Sequence, residues 1–202
     1  MSLASTQVFE ISLSKSDFRF AAAHFTSHDG GRERLHGHNY QVSVVLRGRA
    51  AAPGDAGAGD GKLVDFGEAK RAVRSACAEL HERFLCPLRS RDVAASVARG
   101  QLELRVAADA SFFSLPLRDC ALLPLANSTV EELSVHLALR VAALVGLERL
   151  RERRVDSLAL AVAETPGQEA RFRLELNGPD TAAMLLAHAA DLREIQNSHG
   201  AD

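Results

Sequence analysis

Two histidines two residues apart, His36 and His38 in Leu35-His36-Gly37-His38-Asn39-Tyr40, open an alternating run, Tyr40-Gln41-Val42-Ser43-Val44-Val45-Leu46. Side chains on a strand repeat every second residue, so both imidazoles project to the side that continues through Tyr40, Val42, Val44 and Leu46. That side is apolar, and neutral imidazoles bordering it are suited to zinc. Three protein ligands with an open fourth position would make such a site catalytic rather than structural. On its own a His-x-His pair reads more simply as two strand histidines. The third ligand is expected to be His24, which ends a second alternating run, Phe18-Arg19-Phe20-Ala21-Ala22-Ala23-His24-Phe25. If the two runs pair antiparallel, the loop 26–34 brings His24 beside His36 and His38. A loop of that length is long for a hairpin, and long loops often carry function.

The elements that must position these groups follow from pattern. Val8–Leu13 and Phe18–Phe25 alternate as strands, with a bulge or bend at Lys15-Ser16-Asp17, and Tyr40–Arg49 forms the next strand. Residues 50–61, rich in Gly, Ala and Pro, are expected to be a flexible loop. A helix then carries Ala69, Val73, Ala76, Leu80 and Phe84 on one stripe and is expected to end at Pro87. Residues 88–126 read as an inserted β ribbon, with alternation in Gln101–Val106 and Ser111–Leu117. A second helix starts at Asn127 or Ser128, where Ser128 and Glu131 fit a capping box. Strands Asp156–Ala163 and Ala170–Leu176 follow, and Thr181 opens a C-terminal helix and tail, 181–202. Hairpins separated by helices predict an α+β layer, an antiparallel sheet with helices on one face. The other face is expected to meet further subunits.

Composition bounds the function. The 202 residues carry a formal net charge of −2, no Trp and one Tyr. That balance predicts no general affinity for nucleic acid or membranes, and no aromatic platform for single strands. No transmembrane span or secretory leader is expected. Cys77, Cys86 and Cys120 are odd in number and widely spaced, so they read as reduced thiols of a cytoplasmic protein. The length fits a single domain, 1–202.

The ordered pieces FRFAAAHF, RLHGHNY, LVDFGEAK, NSTVEEL and AVAETPGQEA resemble the 6-pyruvoyl-tetrahydropterin synthases from Phe18 to about Leu174. The resemblance implies the tunnelling fold: a ββααββ unit with a four-stranded antiparallel sheet, here with the inserted ribbon and C-terminal helix added. It implies a homohexamer, a dimer of trimers with active sites between subunits. It further implies Zn2+ held by His24, His36 and His38, and a pterin triphosphate substrate, 7,8-dihydroneopterin triphosphate or a close relative. Glu164, just before Thr165-Pro166, matches the family's pterin anchor; alone it reads as a strand-end residue beside a turn. A carboxylate suits that role because it accepts two hydrogen bonds from the 2-amino and ring N–H edge. Thr129 and Glu131 match the segment lining the pterin pocket, although Glu131 also fits the cap.

Two positions depart from the common pattern. No cysteine lies between Phe25 and His36; Glu33 takes that place, as in a variant group best known from malaria parasites. Without the resemblance, Glu33 is a solvated residue of a charged loop. As a base it would need burial to raise its pKa, against Arg32, Arg34 and zinc pulling it down. The family's relay sequence Leu-Asp-His-Arg-Phe-Leu-Asn is here Leu80-His81-Glu82-Arg83-Phe84-Leu85-Cys86, so His81 and Glu82 keep an imidazole and a carboxylate in exchanged places. The pair works only if the helix unwinds there. The implied activity is loss of triphosphate to give 6-pyruvoyl-tetrahydropterin, with side-chain cleavage to 6-hydroxymethyl-7,8-dihydropterin as the product Glu33 favours. A carboxy-tetrahydropterin synthase would normally need the missing cysteine. A zinc- and pterin-binding protein without turnover is the reading from another class. Arg32, Arg34 and Lys70 are candidate triphosphate partners, or solvated surface.

Overall fold

Strict alternation over Phe18–His24 and Tyr40–Leu46 buries every second residue, and these two runs form the centre of the sheet. The computed structural model describes residues 8–28, 30–49 and 61–199; most of the loop expected at 50–61 lies outside them. Strand β1 (Phe9–His24) pairs antiparallel with β4 (His36–Gly48), and its register shifts between Ser14 and Arg19, where a bulge was expected. Between them lies a minimal hairpin, β2 (Ser27–His28) and β3 (Gly31–Arg32). After β4 come α1 (Phe66–Ala78), β5 (Arg83–Pro87), β6 (Val93–Ala98), β7 (Gln101–Val106), β8 (Phe112–Pro116) and β9 (Cys120–Leu123). The chain continues as α2 (Val130–Val145), α3 (Leu147–Glu152), β10 (Val155–Thr165), β11 (Gln168–Glu175) and α4 (Thr181–His199).

The sheet order is β11-β10-β4-β1-β5-β9. Its first four strands are antiparallel, as expected. The expectation of four strands only is corrected: β5 and β9 extend the sheet in parallel, making it six-stranded and mixed. The first helix is likewise shorter than expected, ending at Ala78 rather than Pro87. Leu80 and Phe84 continue its apolar stripe, but they are buried from a turn and a strand. Glu82 takes a left-handed φ of 57°, which ends helical geometry, and Leu85 and Cys86 are fully buried, as an interior strand requires.

Helices α1 and α2 cover one sheet face. Phe18, Phe20, Tyr40, Val42, Val44, Leu46, Leu158 and Leu160 meet Val73, Ala76, Leu133, Leu137 and Val141 in the main core. The opposite face carries Arg19, Ser43, Arg47, Arg171 and Arg173 and, among the described residues, receives no helix. The insertion folds as the three-stranded meander β6-β7-β8 over a second core of Phe25, Phe84, Cys86, Val93, Leu102, Leu104, Val106 and Cys120. Phe25, next to His24, ties that meander to the end of β1. Among the described residues, no helix is long and apolar enough to cross a membrane.

Candidate metal centre

The antiparallel register sets His24 opposite His36, and Ala22 opposite His38. All three imidazoles therefore emerge on the helix-covered side, just beyond Tyr40. One ring nitrogen from each lies within 4.8 Å of the others. The ring centroids are 4.7, 5.2 and 4.8 Å apart for the pairs His24–His36, His24–His38 and His36–His38.

Backbone carbonyls fix two of the rings. The Nδ1–H of His24 donates to the Ser128 carbonyl at 3.0 Å, and the Nδ1–H of His36 donates to the Arg34 carbonyl at 2.7 Å. A carbonyl only accepts, so each Nδ1 carries the proton and each Nε2 keeps its lone pair for a ligand. Burial pushes the His24 pKa below the usual histidine value, against the Ser128 bond, so the ring is neutral. His24 is 1% exposed, and its Nε2 has no hydrogen-bond partner among the described residues. A buried acceptor without a partner is costly unless something fills it. A divalent cation held by three imidazoles does so, and this donor set fits zinc with a position left open.

The carbonyl that orients His24 is itself positioned by side chains. Asn127 accepts from the Ser27 and Ser128 amides through Oδ1 (3.2 and 3.0 Å) and donates through Nδ2 to the Ser27 carbonyl (2.9 Å). The Ser128 hydroxyl donates to the Phe25 carbonyl at 2.9 Å. Asn127 and Ser128 were read only as helix-start residues; their polarity gave no sign that they brace a ligand.

Carboxylates stand beside the imidazoles. Glu164, at the end of β10, has Oε1 3.8 Å from His24 Nε2. Glu33 closes the loop 26–33: its amide donates to the Thr26 carbonyl at 3.0 Å, and its Oε2 accepts from the Thr26 amide at 3.3 Å. That Thr26 bond, helped by the nearby His36 and His24, holds the Glu33 pKa below the ordinary glutamate range. The burial expected to raise the pKa of a base is absent: the side chain is exposed, and Glu33 stands ionised at neutral pH, a proton acceptor without that aid.

Other expected residues stand apart. The cap of α2 is Thr129, whose hydroxyl accepts from the Glu132 amide at 3.4 Å, while Glu132 reaches back to the Ala126 amide at 2.7 Å. The Ser128/Glu131 box is therefore corrected by one residue. Glu131 is exposed, and among the described residues no contact joins its side chain to the histidine cluster. The chain does leave helical geometry at His81 and Glu82, as their joint use requires. The turn docks on the outer edge of β1: the Ala21 amide donates to His81 Nδ1 at 3.1 Å, and the Glu82 amide donates to the Ala21 carbonyl at 2.7 Å. His81 Nε2 is 3.8 Å from Glu82 Oε1. Glu82 shares an open cleft of about 510 Å³ with His38, Asn39 and Arg83.

The chain's likenesses agree with this arrangement. The family model for 6-pyruvoyl tetrahydropterin synthase matches residues 12–175. The crystal structure of 6-pyruvoyl tetrahydropterin synthase from Plasmodium vivax is 32% identical, with a TM-score of 0.78 over 84% of this chain and 99% of that one. A variant of the same enzyme, in which a catalytic glutamate is changed to alanine, is 31% identical with a TM-score of 0.77 over the same shares. A putative 6-carboxy-5,6,7,8-tetrahydropterin synthase from Methanocaldococcus jannaschii is 29% identical over 77% of this chain and 89% of its own length. Family match and fold lead to one conclusion: the chain belongs to the 6-pyruvoyl tetrahydropterin synthase family of lyases.

Proposed function

We propose that this lyase is zinc-dependent, acts on 7,8-dihydroneopterin triphosphate and expels triphosphate, in a cytoplasmic route to biopterin or folate. The observation that carries the reading is the convergence of three imidazole nitrogens, one of them buried and unpartnered, beside two carboxylates. His24, His36 and His38 hold the metal. When bound, zinc acidifies hydroxyls of the substrate side chain and stabilises the charge left by proton removal. Glu164 accepts two hydrogen bonds from the 2-amino and ring N–H edge of the pterin, which sets the side chain toward the imidazoles. Glu33, already ionised, takes the proton from the side chain.

His81 and Glu82 complete the relay across a subunit seam in a dimer of trimers. Supporting this assembly, among the described residues, are the unpaired outer edge of β11, the polar sheet face without a helix, and the docking of the His81–Glu82 turn on β1 at Ala21. With His81 Nδ1 accepting from the Ala21 amide, the ring carries its proton on Nε2 and presents that N–H to the Glu82 carboxylate, which is the proton-accepting group of the pair. Thr129 shapes the pocket wall through its cap, and Glu131 lies at its rim. Glu33, in the place of a cysteine, favours side-chain cleavage to 6-hydroxymethyl-7,8-dihydropterin. The three cysteines lie elsewhere and are buried, so we do not assign the 6-carboxy branch.

Incubation of purified protein with 7,8-dihydroneopterin triphosphate should release triphosphate, and the C6 substituent of the product identifies the branch. Unaltered substrate bound tightly by zinc-loaded protein would leave a binding protein instead. That second reading is favoured by one feature, the exchanged order of His81 and Glu82. His36→Ala should lose both metal and turnover; full zinc content in that variant would overturn the ligand set.

A further inference from the structure

Arg32, a candidate triphosphate contact by sequence, turns away from the histidines and into the inserted meander. Its side chain is 16% exposed; both terminal nitrogens of the guanidinium donate hydrogen bonds, while the buried Nε faces a carboxylate as an ion pair without hydrogen-bond geometry. Nη1 donates to the Glu33 carbonyl at 2.9 Å, Nη2 donates to the Ser111 hydroxyl at 2.7 Å, and Nε lies 3.0 Å from Asp109 Oδ2. The guanidinium carbon sits 5.4 and 5.1 Å from the ring centroids of Phe25 and Phe113, which stack on each other at 5.3 Å. Asp109 also accepts from the Ser111 amide at 3.0 Å, so the receiving turn between β7 and β8 is preset. A planar fork donates to two separated acceptors and pairs with a carboxylate while lying on aromatic faces; a lysine ammonium cannot. Glu33 is thus held at both ends, its carbonyl by Arg32 and its carboxylate by the Thr26 amide.

We propose that Arg32, anchored to the insertion by Asp109 and Ser111, is a positioning residue that fixes Glu33 beside the histidine cluster. The insertion is then a buttress for the loop carrying the base, which gives residues 93–116 a part in the reaction. The assignment rests on Glu33 being that base. An anchor acting through geometry changes the chemical step and leaves substrate capture alone, and a misplacement of about 1 Å costs on the order of a hundredfold. A merely structural staple would lower thermal stability and leave kcat in place.

The test compares steady-state kinetics and zinc content of Glu33→Gln, Arg32→Ala, Arg32→Lys and Asp109→Asn. Asp109 is 43% exposed, so its variant perturbs the anchor without opening the core. Arg32→Ala should lose about 10- to 100-fold in kcat, with KM within about twofold and zinc retained. Added guanidinium ion should restore part of that loss, Arg32→Lys should stay impaired, and Asp109→Asn should show a smaller loss of the same kind. Wild-type kcat in Asp109→Asn and in folded Arg32→Ala, with Glu33→Gln inactive, overturns the positioning role and leaves Glu33 as the base. A kcat loss in Arg32→Ala that guanidinium does not restore, with Asp109→Asn unimpaired, overturns the anchoring of Arg32 through the insertion. Normal turnover by Glu33→Gln removes the base and the proposal together.

Discussion

Near the start of β4 a further buried atom resembles His24 Nε2: the Tyr40 hydroxyl is fully buried and has no partner at hydrogen-bond distance among the described residues, with the nearby Glu164 carboxylate acting on its proton. Burial, then the Glu164 charge, raises the Tyr40 pKa, so the phenol keeps its proton and remains a donor. An unpaired buried hydroxyl costs about 1–3 kcal/mol. Tyr40 also stacks on Phe20, with centroids 4.6 Å apart, so phenylalanine preserves its packing. If the hydroxyl serves only the ligand-bound site, by steadying Glu164, its removal leaves the empty protein no weaker. Tyr40→Phe should therefore melt at the same temperature or higher, while KM for the pterin rises severalfold. A lower melting temperature with unchanged KM would show a purely structural hydroxyl. Glu164→Gln puts an amide N–H against the donor edge of the pterin and should raise KM at least about tenfold with zinc retained; an unchanged KM removes Glu164 as the anchor.

Elements decide which residues can meet, and here legibility was uneven. Period-two alternation in β1 and β4 fixes both the strands and the side on which His24, His36 and His38 emerge, so the cluster was readable from spacing and pairing alone. The end of α1 was not, because Leu80 and Phe84 satisfy a helical stripe equally well from a turn and a parallel strand. The cap was displaced for a similar reason: Ser128-x-x-Glu131 and Thr129-x-x-Glu132 both fit the pattern, and only backbone geometry at Thr129 selects the second. The short α3 after Gly146 gave no separate signal, since six residues carry less than two full turns. The released Ser128 is free to present its carbonyl to His24, and Asn127 holds it there. Asn127→Ala should thus weaken zinc binding by about 10- to 100-fold with all three ligands intact, measured by competition with a chromophoric chelator. Wild-type affinity would mean that the helix start positions His24 without that side chain.

The molecule as a whole joins its C-terminal helix to the core through a charge-sensitive contact. His188 Nε2 on α4 is 2.9 Å from His136 Nδ1 on α2, and both rings are buried. Burial lowers both pKa values, that of His136 to about 3. Arg140 and Glu79 on one side, and Asp191 and Arg89 on the other, form their own ion pairs at 2.6 Å. The unfolded chain takes up these protons near the ordinary histidine value of 6.5, whereas the folded chain refuses them. Stability is therefore full above about pH 7 and falls with acid down to the folded pKa. A histidine that stays neutral to pH 5 removes about 2 kcal/mol between pH 7 and 5, or roughly 4–8 °C of melting temperature for a chain of this size. The double variant His136→Phe/His188→Leu lacks both groups while keeping an apolar contact between the helices. Its melting temperature should fall less over pH 7 to 5 than that of the natural chain, by at least about that amount, since two such histidines are removed. Every other ionisable group is common to both proteins under the same buffers, so its share cancels in the comparison. Equal slopes in the two proteins would mean that the α2–α4 pair does not set the acid sensitivity of the fold.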